Sequence, residues 1–116
     1  MFFLTVGRDQ TLLFVKGTTM HPETLEPVNL DAGTSVLYRI VDAEGMDIPD
    51  TAGNPWPQTA TYSSTRHAFI ALIRDTVAMV PHVECRFVGT IDHGPDARWP
   101  FDEWVHPLHP GESAPQ

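Results

Sequence analysis

Hydrophobic and polar residues alternate along residues 35–41 with the two-residue period of a β-strand. One face of this segment is entirely apolar and carries Val36, Tyr38 and Ile40. β-branched and aromatic residues dominate the segment, and they suit a pleated, half-buried surface better than a helix. Turn residues follow at 42–45, and residues 46–48 begin a return. The pattern predicts a strand, a tight turn and a short antiparallel return.

The same alternation recurs in residues 83–91. One face of that segment carries a row of apolar and small residues, namely Val83, Cys85, Phe87, Gly89 and Ile91. Turn residues follow it at 92–96. We therefore expect a second long strand that buries this row.

Shorter extended segments are predicted at residues 2–6, 11–16, 59–63 and 98–105. The last contains Pro100, which cannot donate a ladder hydrogen bond and therefore predicts an edge position. Residues 17–27 and 49–58 are rich in proline and polar residues and are predicted to be loops.

Residues 67–80 fit two interpretations. Their apolar residues occur at helical spacing, but residues 68–73 are also a continuous apolar run that is typical of a buried strand. We favour a strand, followed by a helical turn at 75–79, with Pro81 ending the element.

About seven short strands separated by turns favour an all-β, two-sheet sandwich. The chain has 116 residues, with 11 prolines and 8 glycines, which argue against a helical bundle. We expect one domain over residues 1–105 and a Pro-rich tail over residues 106–116 that is mobile unless a partner holds it.

Composition narrows the possible partners. The formal net charge of −8 disfavours nucleic acid, because phosphate binding depends on clustered Lys and Arg. Cys85 is the single cysteine, so the chain forms no internal disulfide. No apolar run approaches the roughly 20 residues that cross a bilayer, and the apolar start lacks the basic segment of a signal peptide. We expect a protein that is made in the cytosol and stays or assembles there.

The densest set of ionisable residues lies toward the C-terminus and comprises Asp92, His93, Asp96, Asp102, Glu103, His106 and His109. A metal site can be imagined there. However, His106 and His109 precede prolines in a non-helical segment, where a spacing of three does not bring side chains together. Solvated loop residues are the favoured interpretation, so we expect neither metal nor cofactor.

Enzymatic activity is not expected. Cys85 points inward in its predicted strand, where a thiol behaves as a small hydrophobe. The chain contains no nucleophile elbow, P-loop or dinucleotide-binding fingerprint. An enzyme that uses the His and Asp cluster remains the third alternative.

Aromatic residues beside prolines form the other candidate site: Trp56, Trp99, Phe101 and Trp104. Such residues either close the ends of a sandwich or contact a partner, because both roles use large apolar rings. Closure of the core is the favoured alternative, and an interface is the second.

Two stretches carry a family resemblance: VNLDAGTSVLYRIVDAEGMDI (residues 28–48) and ATYSSTRHAFIALIRDTVAMVPHVECRFVGTID (residues 60–92). Their order of strands and acidic Gly turns resembles the small immunoglobulin-like β-sandwich virion proteins of tailed bacteriophages. The resemblance spans residues 30–104. Pro81-His82 stands where that pattern usually has a glycine, and the Pro-Trp-Pro loop and the His-Pro tail lie outside it.

The resemblance implies an immunoglobulin-like antiparallel sandwich in a virion structural protein, most simply a capsid decoration or cement protein. A head–tail connector or tail component is the alternative within that class. The implied partners are the major capsid protein or other virion subunits, with several copies on a symmetric shell and no nucleic acid or membrane. The expected contact residues are Phe2, Phe3, Trp56, Trp99, Phe101, Trp104, His106 and His109. A cytosolic peptide- or glycan-binding module that uses Trp56 and Trp104 is the alternative from another class.

Overall fold

The computed structural model describes residues 1–16, 18–20, 27–29, 34–93 and 98–114. For residues 13–16, 18–20, 27–29 and Trp99, it describes the backbone alone. The described residues form ten strands and no helix. Within these ranges, no helical segment has the length and apolarity needed to traverse a membrane.

The strands are short, and most end at a turn. In chain order they are β1 (Phe2–Thr5), β2 (Gln10–Lys16), β3 (Thr18–Met20), β4 (Pro27–Asn29), β5 (Ser35–Val41), β6 (Gln58–Thr59), β7 (Thr61–Ser63), β8 (Ala68–Ile73), β9 (Cys85–Asp92) and β10 (Arg98–Leu108).

Eight of these strands form two sheets. A five-stranded sheet has the order β1-β10-β9-β5-β6, and a three-stranded sheet has the order β2-β8-β7. Their neighbouring strands are antiparallel, except for β1 and β10, which run parallel. β10, β9 and β5 take the places of the immunoglobulin strands G, F and C, and β2, β8 and β7 those of B, E and D. The predicted all-β, immunoglobulin-like two-sheet sandwich is confirmed.

Both sheets contribute to one core. The predicted inward row of β5, Val36, Tyr38 and Ile40, is almost fully buried, as is Phe87 of β9. The three-stranded sheet supplies Leu12, Phe69, Ala71 and Ile73 to the same cluster. Because each large apolar side chain contributes about 1.5–3 kcal/mol on burial, this cluster is what holds the two sheets together.

Of the two interpretations of residues 67–80, the structure shows a strand followed by irregular chain. β8 occupies Ala68–Ile73, which confirms the favoured interpretation. The helical turn expected at 75–79 is wrong. The N–H of Val77 donates to the carbonyl oxygen of Arg74 at 3.2 Å, which closes a single tight turn, and Val77 then pairs with Asp50 in a β-bridge.

The boundaries differ from the prediction in three places. β9 begins at Cys85, and the expected inward position of Val83 is wrong, since that side chain is 57% exposed. The physical reason is the left-handed backbone of His82, with φ of 62°, which redirects the chain just before the strand. Within the loop expected at 17–27, the backbone of β3 pairs with β4; residues 17 and 21–26 lie outside the described residues. β10 continues past residue 105 to Leu108.

The edge position expected for Pro100 agrees with the ladders. β1 pairs with β10 only from Val105 to Leu108, whereas Pro100 is paired with Thr90 of β9. In the described ladders, β10 has neighbours on both sides only at Val105, and at Pro100 its described partner lies on one side. A proline is tolerated there because, among the described strands, no second ladder needs its missing N–H.

Candidate interaction surface

We use the term outer face for the side chains of the five-stranded sheet that point away from the three-stranded sheet. Large apolar side chains normally point inward, yet three on this face are well exposed: Trp104 at 45%, Leu37 at 39% and Phe3 at 37%. Trp104 lies on β10, Phe3 on β1 and Leu37 on β5. The outer face therefore presents apolar area on three different strands.

Trp104 is held by its neighbour across the sheet. Arg86 of β9 is its direct partner in the ladder, and the Arg86 guanidinium carbon lies 6.0 Å from the centroid of the Trp104 ring. The same guanidinium forms an ion pair with Asp102 at 2.8 Å. These contacts orient the ring while nearly half of the side chain stays in solvent.

Phe3 extends this aromatic surface onto β1. Phe3 and His106 are register partners in the parallel ladder, and their ring centroids lie 5.8 Å apart. Trp104 precedes His106 by two positions on the same face of β10. We call Phe3, Trp104 and His106 the aromatic cluster.

The backbone of β1 is engaged on both sides. β10 pairs with it along one edge. At the other edge, the side-chain amide of Gln10 accepts from the N–H of Thr5 at 2.8 Å and donates to the carbonyl oxygen of Thr5 at 2.7 Å. Gln10 thus takes the place of a neighbouring strand at Thr5, which blocks pairing with another chain at that residue.

Three other expected contact residues pack inward instead. Phe2 and Phe101 contact Phe87 with centroid distances of 6.0 and 5.2 Å. Trp56 packs against Tyr38, and its indole N–H donates to the carbonyl oxygen of Ile48 at 2.7 Å. These residues take the role of core closure, and the side chain of Trp99 lies outside the described residues.

A second group of polar residues lies around the C-terminal end of β10. His82 contacts the rings of both His106 and His109, with centroid distances of 5.2 and 5.1 Å. Nε2 of His82 is 2.9 Å from Oε1 of Glu112, and Nδ1 of His82 is 3.1 Å from Nε2 of His106. We call His82, His106, His109 and Glu112 the histidine cluster.

The turn after β10 fixes two members of this cluster. The N–H of Glu112 donates to the carbonyl oxygen of His109 at 3.1 Å, and Gly111 has φ of 90°. Pro110 and Gly111 thus occupy the central positions of a type II turn, which favours these two residues. The N–H of His109 also donates to Oε1 of Glu112 at 2.6 Å. That bond, followed by the contact with His82, lowers the pKa of Glu112, so its carboxylate is ionised at neutral pH.

No pattern in the sequence singles out His82. The spacing of His106 and His109 does not by itself bring their side chains together. The structure joins them through His82, which precedes β9 and comes close only because β9 and β10 pair. The one unusual feature at this point of the sequence was Pro81-His82, where the resembling family pattern has a glycine.

Cys85 is placed as expected. Its side chain is buried on the inner face of β9, and burial, assisted by the nearby charge of Glu84, raises the pKa of its thiol to about 11. The thiol is therefore protonated at neutral pH, and a protonated thiol is a poor nucleophile.

An open cavity of about 330 Å³ occupies the opposite end of the outer face. It is lined by Ser35, Leu37, Thr90, Asp92 and Arg98. Arg98 and Asp92 form an ion pair at 2.7 Å across its rim.

Comparisons of the chain with models of protein families, with curated proteins and with solved structures found no match.

Proposed function

We propose that this chain is a structural protein that binds another protein through its outer face, and that it serves as a capsid decoration or cement protein of a tailed bacteriophage. The observation that carries the binding role is the aromatic cluster, in which Phe3 and Trp104 are both exposed on the same face of the sheet, on neighbouring strands. The virion role rests on the resemblance found in the sequence. A head–tail connector or tail component is the alternative within the same class.

The composition of the surface supports a protein partner. Trp and Arg are enriched among the residues that dominate protein–protein binding energy, and here Trp104 and Arg86 are direct neighbours. Their ladder positions are fixed by β9 and β10, so little conformational entropy is lost on binding. With 15 acidic and 7 basic residues, the chain favours a partner with basic groups around the contact.

A face contact suits attachment better than strand addition at β1. Gln10 already occupies the hydrogen-bonding edge of β1 at Thr5. On a symmetric shell, contacts of modest area are sufficient where linked copies bind together.

A cytosolic peptide- or glycan-binding module is supported less well. That alternative used Trp56 and Trp104 as its two aromatic platforms. Trp56 is half-buried and committed to Tyr38 and to the carbonyl oxygen of Ile48. Among the tryptophan side chains that the structure describes, Trp104 alone is left for a sugar or peptide.

The test is cosedimentation with particles of the phage or prophage whose genome encodes the chain, prepared without the chain. We expect the wild-type protein to bind at a saturable, integral number of copies per capsomer. Trp104→Ala is expected to weaken binding by about 30-fold, the change typical of a dominant contact residue. Thr61→Ala, an exposed position on the three-stranded sheet, is the matched control and is expected to bind normally. Absence of the wild-type protein from the particle pellet would contradict the proposal.

A further inference from the structure

We propose that His82, His109 and Glu112 form a binding site for a divalent transition-metal cation, with Zn²⁺ as the best fit. Each residue offers one ligand atom, and these atoms all lie within 4.8 Å of one another. Its three ligand residues are not members of the aromatic cluster, although His106 contacts both groups, and the site does not depend on the proposed virion role.

The donor set determines the class of cation. Two imidazole nitrogens and one carboxylate oxygen are ligands that suit Zn²⁺ and its neighbours Co²⁺, Ni²⁺ and Cu²⁺. Mg²⁺ and Ca²⁺ prefer an all-oxygen set and are disfavoured. Three protein ligands with a fourth position open to water are typical of an accessible zinc site.

The distances allow coordination after small side-chain movements. Ligand atoms around a tetrahedral Zn²⁺ lie about 3.4 Å apart, given bonds of about 2.1 Å. Nε2 of His82 and Oε1 of Glu112 are 2.9 Å apart, so they separate slightly to admit the ion. All three side chains are exposed, so these movements disturb no packed core.

Neighbouring groups prepare His82 as a ligand. In the metal-free chain, the 2.9 Å contact with the ionised Glu112 carboxylate requires a proton on Nε2 of His82. A metal needs the lone pair of Nε2 and therefore displaces that proton, and the remaining proton of neutral His82 then sits on Nδ1. Nδ1 lies 3.1 Å from Nε2 of His106, which can accept that proton's hydrogen bond. Nδ1 of His106 then faces Oε1 of Glu84 at 3.5 Å. Such carboxylate–histidine chains behind a ligand set its tautomer and strengthen binding.

The backbone holds the ligands before any ion arrives. His82 has φ of 62° and its N–H donates to the carbonyl oxygen of Pro107 at 2.9 Å, which fixes this residue beside the end of β10. The type II turn at Pro110 and Gly111 presents His109 and Glu112 from the other side. A bound cation would therefore join the loop before β9 to the turn after β10.

The experiment titrates Zn²⁺ and, separately, Mg²⁺ into untagged, chelator-treated full-length chain by calorimetry. Co²⁺ absorption reports the ligand geometry. We expect one Zn²⁺ per chain, a higher Tm with Zn²⁺, and no response to Mg²⁺. His82→Asn and Glu112→Gln are each expected to weaken Zn²⁺ binding at least 10-fold. His106→Gln, which removes the group behind His82, is expected to weaken binding 10- to 100-fold without changing the stoichiometry.

His67→Asn is the matched control. His67 is also exposed and also has a positive φ of 50°, and asparagine tolerates that conformation. We expect it to bind Zn²⁺ like the wild type. Circular dichroism of every variant, matched to the wild type, separates loss of ligands from loss of the fold. Absence of stoichiometric Zn²⁺ binding, or binding that His82→Asn and Glu112→Gln leave unchanged, would overturn the proposal and indicate an adventitious surface ion only.

Discussion

Among the glycines that the structure describes, Gly89 is the one at which the sandwich most depends on the absence of a side chain. A Cβ atom there would overlap the carbonyl oxygen of Leu37 and would lie 2.6 Å from Cζ of Phe101. The Phe101 ring lies over this glycine and packs against Phe87. The alternation of β9 predicts only an inward position at 89; it does not reveal that an aromatic ring from β10 fills it.

We expect Gly89→Ala to destabilise the fold by about 3 kcal/mol, at the upper end of the usual cost of overpacking a core. Urea unfolding measures this change, with Thr90→Ala as the neighbouring control. Replacing Phe101 with Leu in the same chain should recover little, because the overlap with the Leu37 carbonyl remains. A Gly89→Ala variant within 0.5 kcal/mol of wild type would mean that β5 and β9 are not packed as described.

Cys85 supplies a prediction about pH. Its folded pKa of about 11 exceeds the ordinary 9.0, so the unfolded chain loses the thiol proton first as the pH rises. The associated stability is therefore complete below pH 9 and is lost as the pH rises through 11. At pH 10 the expected loss is about 1 kcal/mol relative to neutral pH.

The free energy of unfolding of the wild type and of Cys85→Val, measured at pH 8 and pH 10, isolates this effect. The valine variant should lose less stability over that interval, since it has no thiol to ionise. A thiol reagent should label native Cys85 far more slowly than the unfolded chain. Equal pH dependence in both proteins would show that the thiol is not buried.

At the scale of elements, prediction was most accurate where alternation is strict. β5 begins and ends at the expected residues because every second side chain is large and apolar. Residues 59–63 contain few large apolar groups, and there the structure has two short strands on different sheets, β6 and β7. Contacts between residues far apart in the sequence determine the structure of the other segments. The bridge between Asp50 and Val77 replaced the expected helical turn, and no local pattern announces such a bridge.

At the end of β10, the proline-rich composition predicted the wrong boundary for the sheet. Prolines at 107 and 110 indicated a mobile tail beginning at 106. However, residues 106–108 pair with β1, and Pro107 and Leu108 are buried. Pro107 is compatible with this strand because its ring is buried and its carbonyl oxygen accepts from the N–H of His82.

Truncation distinguishes these boundaries. A chain ending at residue 105 is expected to lose at least about 3 kcal/mol, because it loses the buried Leu108 and three ladder partners of β1. A chain ending at Glu112 keeps those contacts and should match the full chain. Urea midpoints of the two truncated chains make the comparison, and equal midpoints would contradict the assignment of residues 106–108 to the sheet.

For the whole molecule, the sequence predicts the fold more completely than it predicts the candidate site. Period and turn chemistry led to the two-sheet sandwich. The family resemblance implied one candidate interface of eight aromatic and histidine residues, whereas the structure packs Phe2, Trp56 and Phe101 against the core. Which face of a strand is covered depends on the opposite sheet, and His82 depends on the pairing of β9 with β10. Both depend on residues that are far apart in the sequence.

The proposed function requires that the outer face around Trp104 contacts a protein of the virion. A photo-crosslinking residue at position 104, incorporated during phage growth, tests it most directly, with position 61 on the three-stranded sheet as the control. We predict a crosslink from position 104 to the major capsid protein in purified particles and none from position 61. Particles that lack the chain, or crosslinks from position 61 in place of 104, would contradict it.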